Sequence, residues 1–324
     1  MDRAPLKRAC LAAALLLLLT ACGSNGGASD TATLPPLAVP ASVGSTVAAT
    51  TTIPATTAPS TTTSVAPATT PATPASSAGT AVDPAQPPNI DATAYVVYDV
   101  GSQQWLADHD ADAAKPVGSL MKLLTAYVVM QAGDPAHIAT VPPMDLDPAE
   151  SAIGLYEGQQ LPRDVLLRAE LIVSANDAAR TLALDIGGSE NGFVAMMNEA
   201  AQSLGMSQTV AVNSVGLDAE GAHSSARDMV NIATVLMQDP TFRATVARTD
   251  AKMNGQRFNA TNKLLTSYEG ATGVKTGHTT DAGYCLVGSA TRGDRSVIVA
   301  VLGAPTDQAR IDGASALLDW AFSQ

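Results

Sequence analysis

The fold of this chain is decided by PVGSLMKLLTAYVVM, residues Pro116–Met130. A proline and a glycine interrupt the preceding segment, and a run of good helix formers begins at Ser119, with apolar residues at 120, 123, 124, 127 and 128. This spacing predicts a buried helix with Ser119 and Lys122 in its first turn. Residues three apart share a helix face, so the serine would have a base beside it and could be a nucleophile. Ser-x-x-Lys is common by chance. Taken alone, the motif is therefore also compatible with a serine that only caps the helix and a lysine that is exposed to solvent.

The first 21 residues have the features of a secretion signal. A positively charged start precedes an apolar core, Leu11–Leu19, that is too short for an ordinary membrane span. Directly after it, LTAC at residues 19–22 resembles a bacterial lipobox, in which Cys22 would be diacylated and become the first residue after cleavage. A plain secretory peptide cut near Ala21 is the alternative. Because two acyl chains give stable anchoring, the lipobox predicts an extracytoplasmic lipoprotein held at the membrane and facing the cell wall.

Residues 22–88 are predicted to be a disordered tether. They consist mostly of Thr, Ala, Pro, Ser and Gly, with few charges and few large apolar side chains. Such a segment cannot bury enough surface to offset the entropy of ordering. As a flexible coil it would span roughly 45 Å. One folded domain, residues 89–324, follows, and it is long enough to form a large core.

Charge and residue composition exclude several classes of function. With 18 Lys and Arg against 30 Asp and Glu, the chain has a net charge of −12, which gives no electrostatic support for nucleic-acid binding. The four histidines have no metal-binding spacing, so we expect no metal and no other cofactor. Cys285 is the one cysteine beyond the targeting region, and we expect a buried thiol there.

The order of the predicted elements favours an α+β fold. The predicted strands are Ala94–Val100, Gln103–Ala107, Gly273–Lys275, Tyr284–Thr291 and Ser296–Leu302. After the Ser119 helix, the predicted helices are Arg163–Val173, Asn176–Ile186, Glu190–Leu204, 225–238 and Thr306–Phe322. Strands therefore lie at both ends and helices in the middle, a segregation that indicates an antiparallel sheet and not a doubly wound one.

Two further motifs accompany the Ser119 helix. Ser174-Ala175-Asn176 lies between two predicted helices, and Lys275-Thr276-Gly277 lies on a predicted strand edge. Each is weak alone, because Ser-x-Asn is commonly a turn or cap and Lys-Thr-Gly is easily the end of a strand. Together with Ser-x-x-Lys, in this order and separated by about 55 and then about 100 residues, they resemble the signature of penicillin-binding proteins and class A β-lactamases.

The resemblance extends from about residue 92 to the end of the chain. Five segments are similar to the low-molecular-mass D-alanyl-D-alanine carboxypeptidases of the peptidase S11 type: PVGSLMKLLTAYVV, IVSANDAARTLA, FVAMMNEAAQSLGM, NSVGLD and NKLLTSYEGATGVKTGHTTDAGYCLVGSA. The resemblance implies a β-lactamase/transpeptidase-like fold, an antiparallel β-sheet flanked by helices plus a mostly helical subdomain, with the active site in the cleft between them. Ala175 stands where many relatives have glycine, a small change that should be tolerated.

The resemblance implies a serine peptidase that acts on peptidoglycan stem peptides ending in D-Ala-D-Ala and binds β-lactams covalently. Ser119 would form the acyl-enzyme, Lys122 would be the general base, and Ser174 would pass a proton to the leaving amine. Lys122 must then be neutral, although a free lysine titrates near ~10.4. Lowering its pKa to about 7–8 requires roughly 3.5–4.5 kcal/mol. We expect this from burial, the positive end of the helix and a second cation at Lys275.

The remaining residues of the motifs would bind the substrate. By the same resemblance, Asn176 would hold an amide of the peptide, and Lys275 and Thr276 would bind the terminal carboxylate, for which a fixed cation and a hydroxyl are suited. Gly277 would let the substrate backbone approach the strand closely. The backbone N–H groups of Ser119 and His278 would form the oxyanion hole, with the His278 side chain incidental.

Three other functions are compatible with parts of this pattern. A class A-like β-lactamase shares the three motifs but uses a glutamate in a Glu-x-x-Leu-Asn loop, and the corresponding region here is NSVGLDAEGAHSS. A DD-endopeptidase would use the same machinery on cross-links. A catalytically silent, lipid-tethered wall-binding module is the third alternative, and the presence of every catalytic side chain argues against it.

Overall fold

The computed structural model describes residues 86–253 and 255–324. The predicted signal at 1–21, the predicted lipidation site Cys22 and nearly all of the predicted tether at 22–88 lie outside the described residues and stay predictions. Residues 86–90, at the predicted domain boundary, form no helix or strand. Within the two described ranges, no helix is long and apolar enough to cross a membrane.

Strands of one sheet lie towards both ends of the domain, and most helices lie between them. The first half contains β1 (Ala94–Asp99), β2 (Gln104–His109), a 3-10 turn (Gly118–Met121), α1 (Lys122–Ala132), β3 (Ile138–Thr140), β4 (Gln160–Pro162), α2 (Arg163–Val173), α3 (Asn176–Gly187) and α4 (Glu190–Ser203). The second half contains α5 (Ala226–Leu236), α6 (Pro240–Val246), β5 (Asp250–Met253), β6 (Gln256–Asn259), α7 (Leu264–Ser267), β7 (Ala271–Thr279), β8 (Gly283–Arg292), β9 (Arg295–Ala304) and α8 (Asp307–Ser323).

The main sheet has the strand order β2-β1-β9-β8-β7, and every neighbouring pair is antiparallel. Its inner strands are buried on both faces. In β1, Val96 belongs to the core shared with α1 and α5, whereas Val97 belongs to a second core beneath α8. Burial on both faces explains why β1 and β9 are continuous apolar runs without alternation. The predicted α+β fold with an antiparallel sheet flanked by helices is confirmed.

The buried helix α1 connects the sheet to a helical subdomain. It packs against α2, α3, α4 and α5. The 3-10 turn before it packs against β7, the edge strand that carries the Lys-Thr-Gly motif. The sequence motifs therefore meet where the sheet edge, the start of α1 and the α2–α3 junction come together.

The structure departs from the predicted elements at several short segments. The two-stranded pairs β3–β4 and β5–β6 and the helices α6 and α7 are not predicted by the sequence patterns, and β7 extends well beyond Gly273–Lys275. The predicted helix 225–238 ends at Leu236, because Asp239 caps a new helix by accepting a hydrogen bond from Phe242 N at 2.8 Å. Cys285 is buried with a free thiol, as expected, and burial raises its pKa to about 11.

Candidate active site

Ser119 lies in the 3-10 turn, where it is half-buried, and the turn is held against β7 by close backbone contacts. Gly118 has a φ of +55°, and a Cβ there would lie 2.9 Å from the backbone N of His278. Glycine is therefore needed for both its backbone angle and its space. Gly277 has a similar role, since a Cβ on it would meet the turn, at 3.0 Å from Leu120 N. This contact shows why residue 277 is glycine: a side chain there would clash with the serine turn. The role that the sequence suggested for Gly277 was a different one, close approach of the substrate backbone to the strand.

Lys122 is completely buried, and its Nζ has three polar neighbours. It lies 3.0 Å from Ser119 Oγ, 2.7 Å from Asn176 Oδ1 and 2.7 Å from the carbonyl oxygen of Val215. The amide oxygen and the carbonyl are acceptors only, so they take two hydrogens of the amine. A neutral amine then has its lone pair directed at the Ser119 hydroxyl, which is the arrangement that a general base needs.

The electrostatic surroundings of Lys122 favour this neutral form. Burial lowers the pKa of its amine to about 7, Glu170 and Glu150 act in the opposite direction, and Arg180 lowers it further. The value lies at the lower end of the range that the chemistry requires. Burial is the largest cause, and it is one of the three that the sequence suggested. The expected contribution of Lys275 is not among the main causes, and the sequence did not predict the three charged neighbours that are.

Ser174 and Lys275 form the second pair of the site. Ser174 ends α2 in the left-handed conformation, with φ of 64°, which turns the chain into α3 and points the hydroxyl at β7. Lys275 Nζ donates to Ser174 Oγ at 2.9 Å and to the carbonyl oxygen of Thr276 at 2.9 Å. In the described part of the chain these are its two hydrogen-bond partners, so one N–H of an ammonium group remains for a ligand.

Lys275 is as buried as Lys122, and this has a consequence for its charge. Burial lowers its pKa well below the usual lysine value, and the nearby Lys122 and Arg310 lower it further, while Glu170 opposes them. The sequence suggested a fixed cation at this position. The cationic form of Lys275 is instead disfavoured by its surroundings, so an anion that binds there would stabilise it.

Asn176 begins α3 and links Lys122 to a carboxylate that the sequence did not reveal. Its Nδ2 donates to Glu150 Oε2 at 2.5 Å, so its Oδ1 must face Lys122. Glu150 also pairs with Arg180 at 3.1 Å. Arg180 lies four residues after Asn176 and therefore on the same face of α3, which is the one sequence signal that could have identified it. Glu150 lies in a loop, and no sequence pattern pointed to it.

Thr276 and His278, the remaining predicted site residues, differ in their surroundings. Thr276 is buried, and its Oγ1 lies 2.7 Å from Thr261 Oγ1. The His278 side chain is exposed and stacks on Tyr284 with 4.0 Å between ring centroids, while its backbone N lies beside Gly118. Across residues 86–253 and 255–324, no group of three or more His, Cys, Asp and Glu side chains could hold a metal ion.

The site therefore contains a serine beside a buried amine and a second serine beside a second buried amine, at one sheet edge. A family model described as D-alanyl-D-alanine carboxypeptidase, peptidase S11, matches residues 81–306. The chain belongs to this family. The structure thus brings together the three motifs of an S11 peptidase. Lys122 is hydrogen-bonded to Ser119 and Asn176, and Lys275 is hydrogen-bonded to Ser174.

Individual relatives agree with this assignment. The chain is 35% identical over 249 residues to the D-alanyl-D-alanine carboxypeptidase DacA of Escherichia coli, covering 72% of this chain and 61% of that protein's length. A solved structure of a penicillin-binding protein from Listeria monocytogenes in its cefotaxime-bound form is 33% identical, with a TM-score of 0.67, covering 73% of this chain and 100% of that chain. A mutant of a Streptomyces DD-transpeptidase is 30% identical, with a TM-score of 0.68 and the same coverage.

Proposed function

We propose that the protein is a serine-type D-alanyl-D-alanine carboxypeptidase that removes the terminal D-Ala from peptidoglycan stem peptides. The observation that carries this proposal is the 3.0 Å contact between Ser119 Oγ and the buried Nζ of Lys122, whose pKa burial lowers to about 7. A hydroxyl beside an amine that is about half neutral at pH 7 is an activated nucleophile. The S11 relatives named as carboxypeptidases support the choice of substrate.

In the first step, Ser119 Oγ attacks the carbonyl carbon of the penultimate D-Ala, and its proton moves to Lys122 Nζ. The tetrahedral oxyanion would be stabilised by the backbone N–H groups of Ser119 and His278, which lie on adjacent segments of the turn and β7. Asn176 would hold an amide of the stem peptide. Its Oδ1 is already occupied by Lys122, so substrate contact would involve the other side of this amide group.

In the second half of acylation, the C–N bond breaks and the leaving amine needs a proton. Ser174 accepts a hydrogen bond from Lys275, so its own hydroxyl hydrogen is free to be donated to the departing nitrogen. The proton that Lys122 took from Ser119 would then replace it on Ser174, which leaves Lys122 neutral again for the second step. Lys275 and Thr276 would bind the terminal carboxylate, with the third N–H of Lys275 directed at it. Water then attacks the ester, Lys122 accepts the water's proton, and Ser119 regains a proton as the peptide acid leaves.

The proposal extends to location and inhibitors. We infer that the enzyme works outside the cytoplasm on the cell wall, held to the membrane by a diacylated Cys22, because its substrate would be located there and the lipobox precedes a long polar tether. β-Lactams would acylate Ser119, in keeping with the cefotaxime-bound relative.

A second candidate concerns the acceptor of the acyl group. One solved relative is described as a DD-transpeptidase, which suggests that an amine could replace water as the nucleophile that releases the peptide. A DD-endopeptidase would use the same residues on a cross-linked substrate. Adding an amino-acid acceptor to the reaction separates transpeptidation from hydrolysis, because transpeptidation forms a new peptide product and hydrolysis releases the free acid.

Mass spectrometry of the penicillin-treated protein tests the proposal. We expect a covalent adduct on Ser119 that persists, together with D-Ala release from a peptide ending in D-Ala-D-Ala. Ser119→Ala should lose both, whereas Ser203→Ala, which removes an exposed hydroxyl at the end of α4, should retain both. An adduct that turns over rapidly would indicate a β-lactamase. A protein that forms no adduct and releases no D-Ala would refute the proposal in favour of a silent binding module.

A further inference from the structure

Glu170 is a buried acid in the middle of α2 to which the proposed reaction assigns no role. Its side chain has no solvent exposure, and neither carboxyl oxygen has a hydrogen-bond partner among residues 86–253 and 255–324. Asp177, which is equally buried, accepts hydrogen bonds from the backbone N–H groups of Ile153 and Leu155. Ionisable groups that are buried without hydrogen bonds are costly, so a native structure that keeps one calls for an explanation.

The position of Glu170 places it beside the catalytic machinery. Ser174 lies one helical turn further along α2, and its hydroxyl accepts a hydrogen bond from Lys275. Lys122 and Lys275 are the charged groups that act on the Glu170 carboxyl. Glu170 in turn acts on the charge of both amines. It is thus electrostatically linked to both lysines, although no hydrogen bond joins it to them.

The other charged groups on the elements packed against α2 are engaged elsewhere. On α3, Arg180 pairs with Glu150, and Asp185 pairs with Arg163. On β5 and β6, Asp250 pairs with Arg257, and the Lys252 side chain is exposed. On α6, Arg243 donates hydrogen bonds to the carbonyl oxygens of Met237 and Gln238. The β4 strand carries no charged side chain. The two lysines are therefore the partners that matter for the ionisation of Glu170.

We propose that Glu170 is a positioning residue that acts through Lys122 and Lys275: the charge of its buried carboxyl is coupled to the charges of the two amines and so controls when Lys122 is free to accept the Ser119 proton. The inference rests on the proposed function, because it uses the roles assigned there to the two lysines. Burial raises the pKa of Glu170 to about 8, close to that of Lys122, so the groups titrate over the same range and as a unit.

Glu170→Gln tests the inference, because glutamine keeps the shape of the side chain and removes its proton exchange. Ionised Glu170 favours the charged form of both lysines, so its loss should move both limbs of the pH profile to lower pH. For acylation by labelled penicillin we expect the acid limb to move to lower pH by less than one pH unit, which is less than a tenfold change in proton affinity, because a carboxyl whose pKa is raised to about 8 is only partly ionised across that limb. On the peptide substrate, KM should rise at alkaline pH, where Lys275 now loses its charge earlier.

Two further variants separate this effect from packing and from net charge. Glu199→Gln removes a carboxylate exposed on α4, and it should leave the profile unchanged. Glu170→Asp restores a buried carboxyl, and it should return the acid limb towards the parent position. A Glu170→Gln enzyme whose rate falls equally at every pH, with both limbs in place, would overturn the inference.

A measurement on the parent protein serves if Glu170→Gln does not fold. Infrared difference spectra recorded across the range around pH 8 should show a buried carboxylic acid without hydrogen bonds losing its proton. The absence of such a band would overturn the inference. Failure of this inference can be distinguished from failure of the proposed function, because in the second case the parent protein itself would form no penicillin adduct on Ser119.

Discussion

Glu150→Ala is the substitution that most directly tests how the catalytic amine is oriented. Glu150 accepts a hydrogen bond from Asn176 Nδ2 at 2.5 Å, and this contact fixes the Asn176 oxygen towards Lys122. Without the carboxylate the amide can rotate, which would direct its NH2 group at the Lys122 amine. The neutral amine would then lose one of its two acceptors, and its lone pair would no longer be confined to the direction of Ser119.

The magnitude follows from the contact that is lost. A hydrogen bond to a charged group contributes about 1.5–3 kcal/mol, and its loss in the transition state corresponds to roughly a 10- to 100-fold decrease in the second-order rate constant. We expect this decrease in acylation of Glu150→Ala by labelled penicillin above about pH 7.5, where Lys122 is mostly neutral in either protein. D-Ala release from the peptide substrate should fall by a similar factor.

Glu150→Gln is the matched control, because its amide oxygen can still accept from Asn176 while the charge is gone. We expect it to lose less than about threefold at the same pH. Since Glu150 raises the pKa of Lys122, both variants should also move the acid limb to lower pH. Equal losses in Ala and Gln would show that charge matters more than orientation. A Glu150→Ala enzyme that acylates as fast as the parent would refute this account of Asn176.

Two further outcomes follow from the buried lysine and the serine turn. Folding lowers the pKa of Lys122 from 10.5 to about 7, so the unfolded chain binds more protons between these values and the free energy of unfolding rises with pH there, by up to about 1.4 kcal/mol per pH unit. When the free energy of unfolding is measured in guanidinium between about pH 8 and 10, it should rise with pH in the parent and rise less steeply in Lys122→Met. Identical slopes in the two proteins would contradict the lowered pKa of Lys122. Gly118→Ala should lose most penicillin acylation and about 1–2 kcal/mol or more of the free energy of unfolding. The reason is that alanine would be strained at φ of +55° and its methyl group would lie 2.9 Å from His278 N. Unchanged acylation would show that the turn tolerates a side chain.

The elements that the sequence predicted well are those whose signals are local. The helices α2 and α3 begin and end within one residue of their predicted bounds, because their periodicity and their flanking residues act over a few turns. Asp239-Pro240 was also a local signal, an N-cap followed by proline at the first helical position, and it was overlooked. By contrast, the polar end of β7 is extended because it pairs with β8, and strand formation of that kind depends on tertiary context.

The same distinction applies to the active site. Ser119, Ser174 and Lys275 were identified because each belongs to a short motif, and the fold then brings the motifs together. Glu150 and Glu170 belong to no motif, and their effect on Lys122 arises only when a loop and a helix face are placed around the amine. Burial could be anticipated from the apolar run of α1, whereas the identity of the charges surrounding the buried group could not.

The cost of burying two lysines explains why the site is assembled from so many elements. A buried amine is tolerated when its hydrogen bonds are satisfied, and Lys122 obtains its acceptors from α3 and from the loop at Val215, while Lys275 obtains its acceptors from the end of α2 and from its own strand. Each acceptor is held by an element with its own core contacts, so none of them can move towards solvent without loosening the fold. The packing that keeps water from the two amines is therefore also the cause of their lowered pKa values, and substitutions that admit water to α1 should restore an ordinary lysine and abolish acylation near neutral pH.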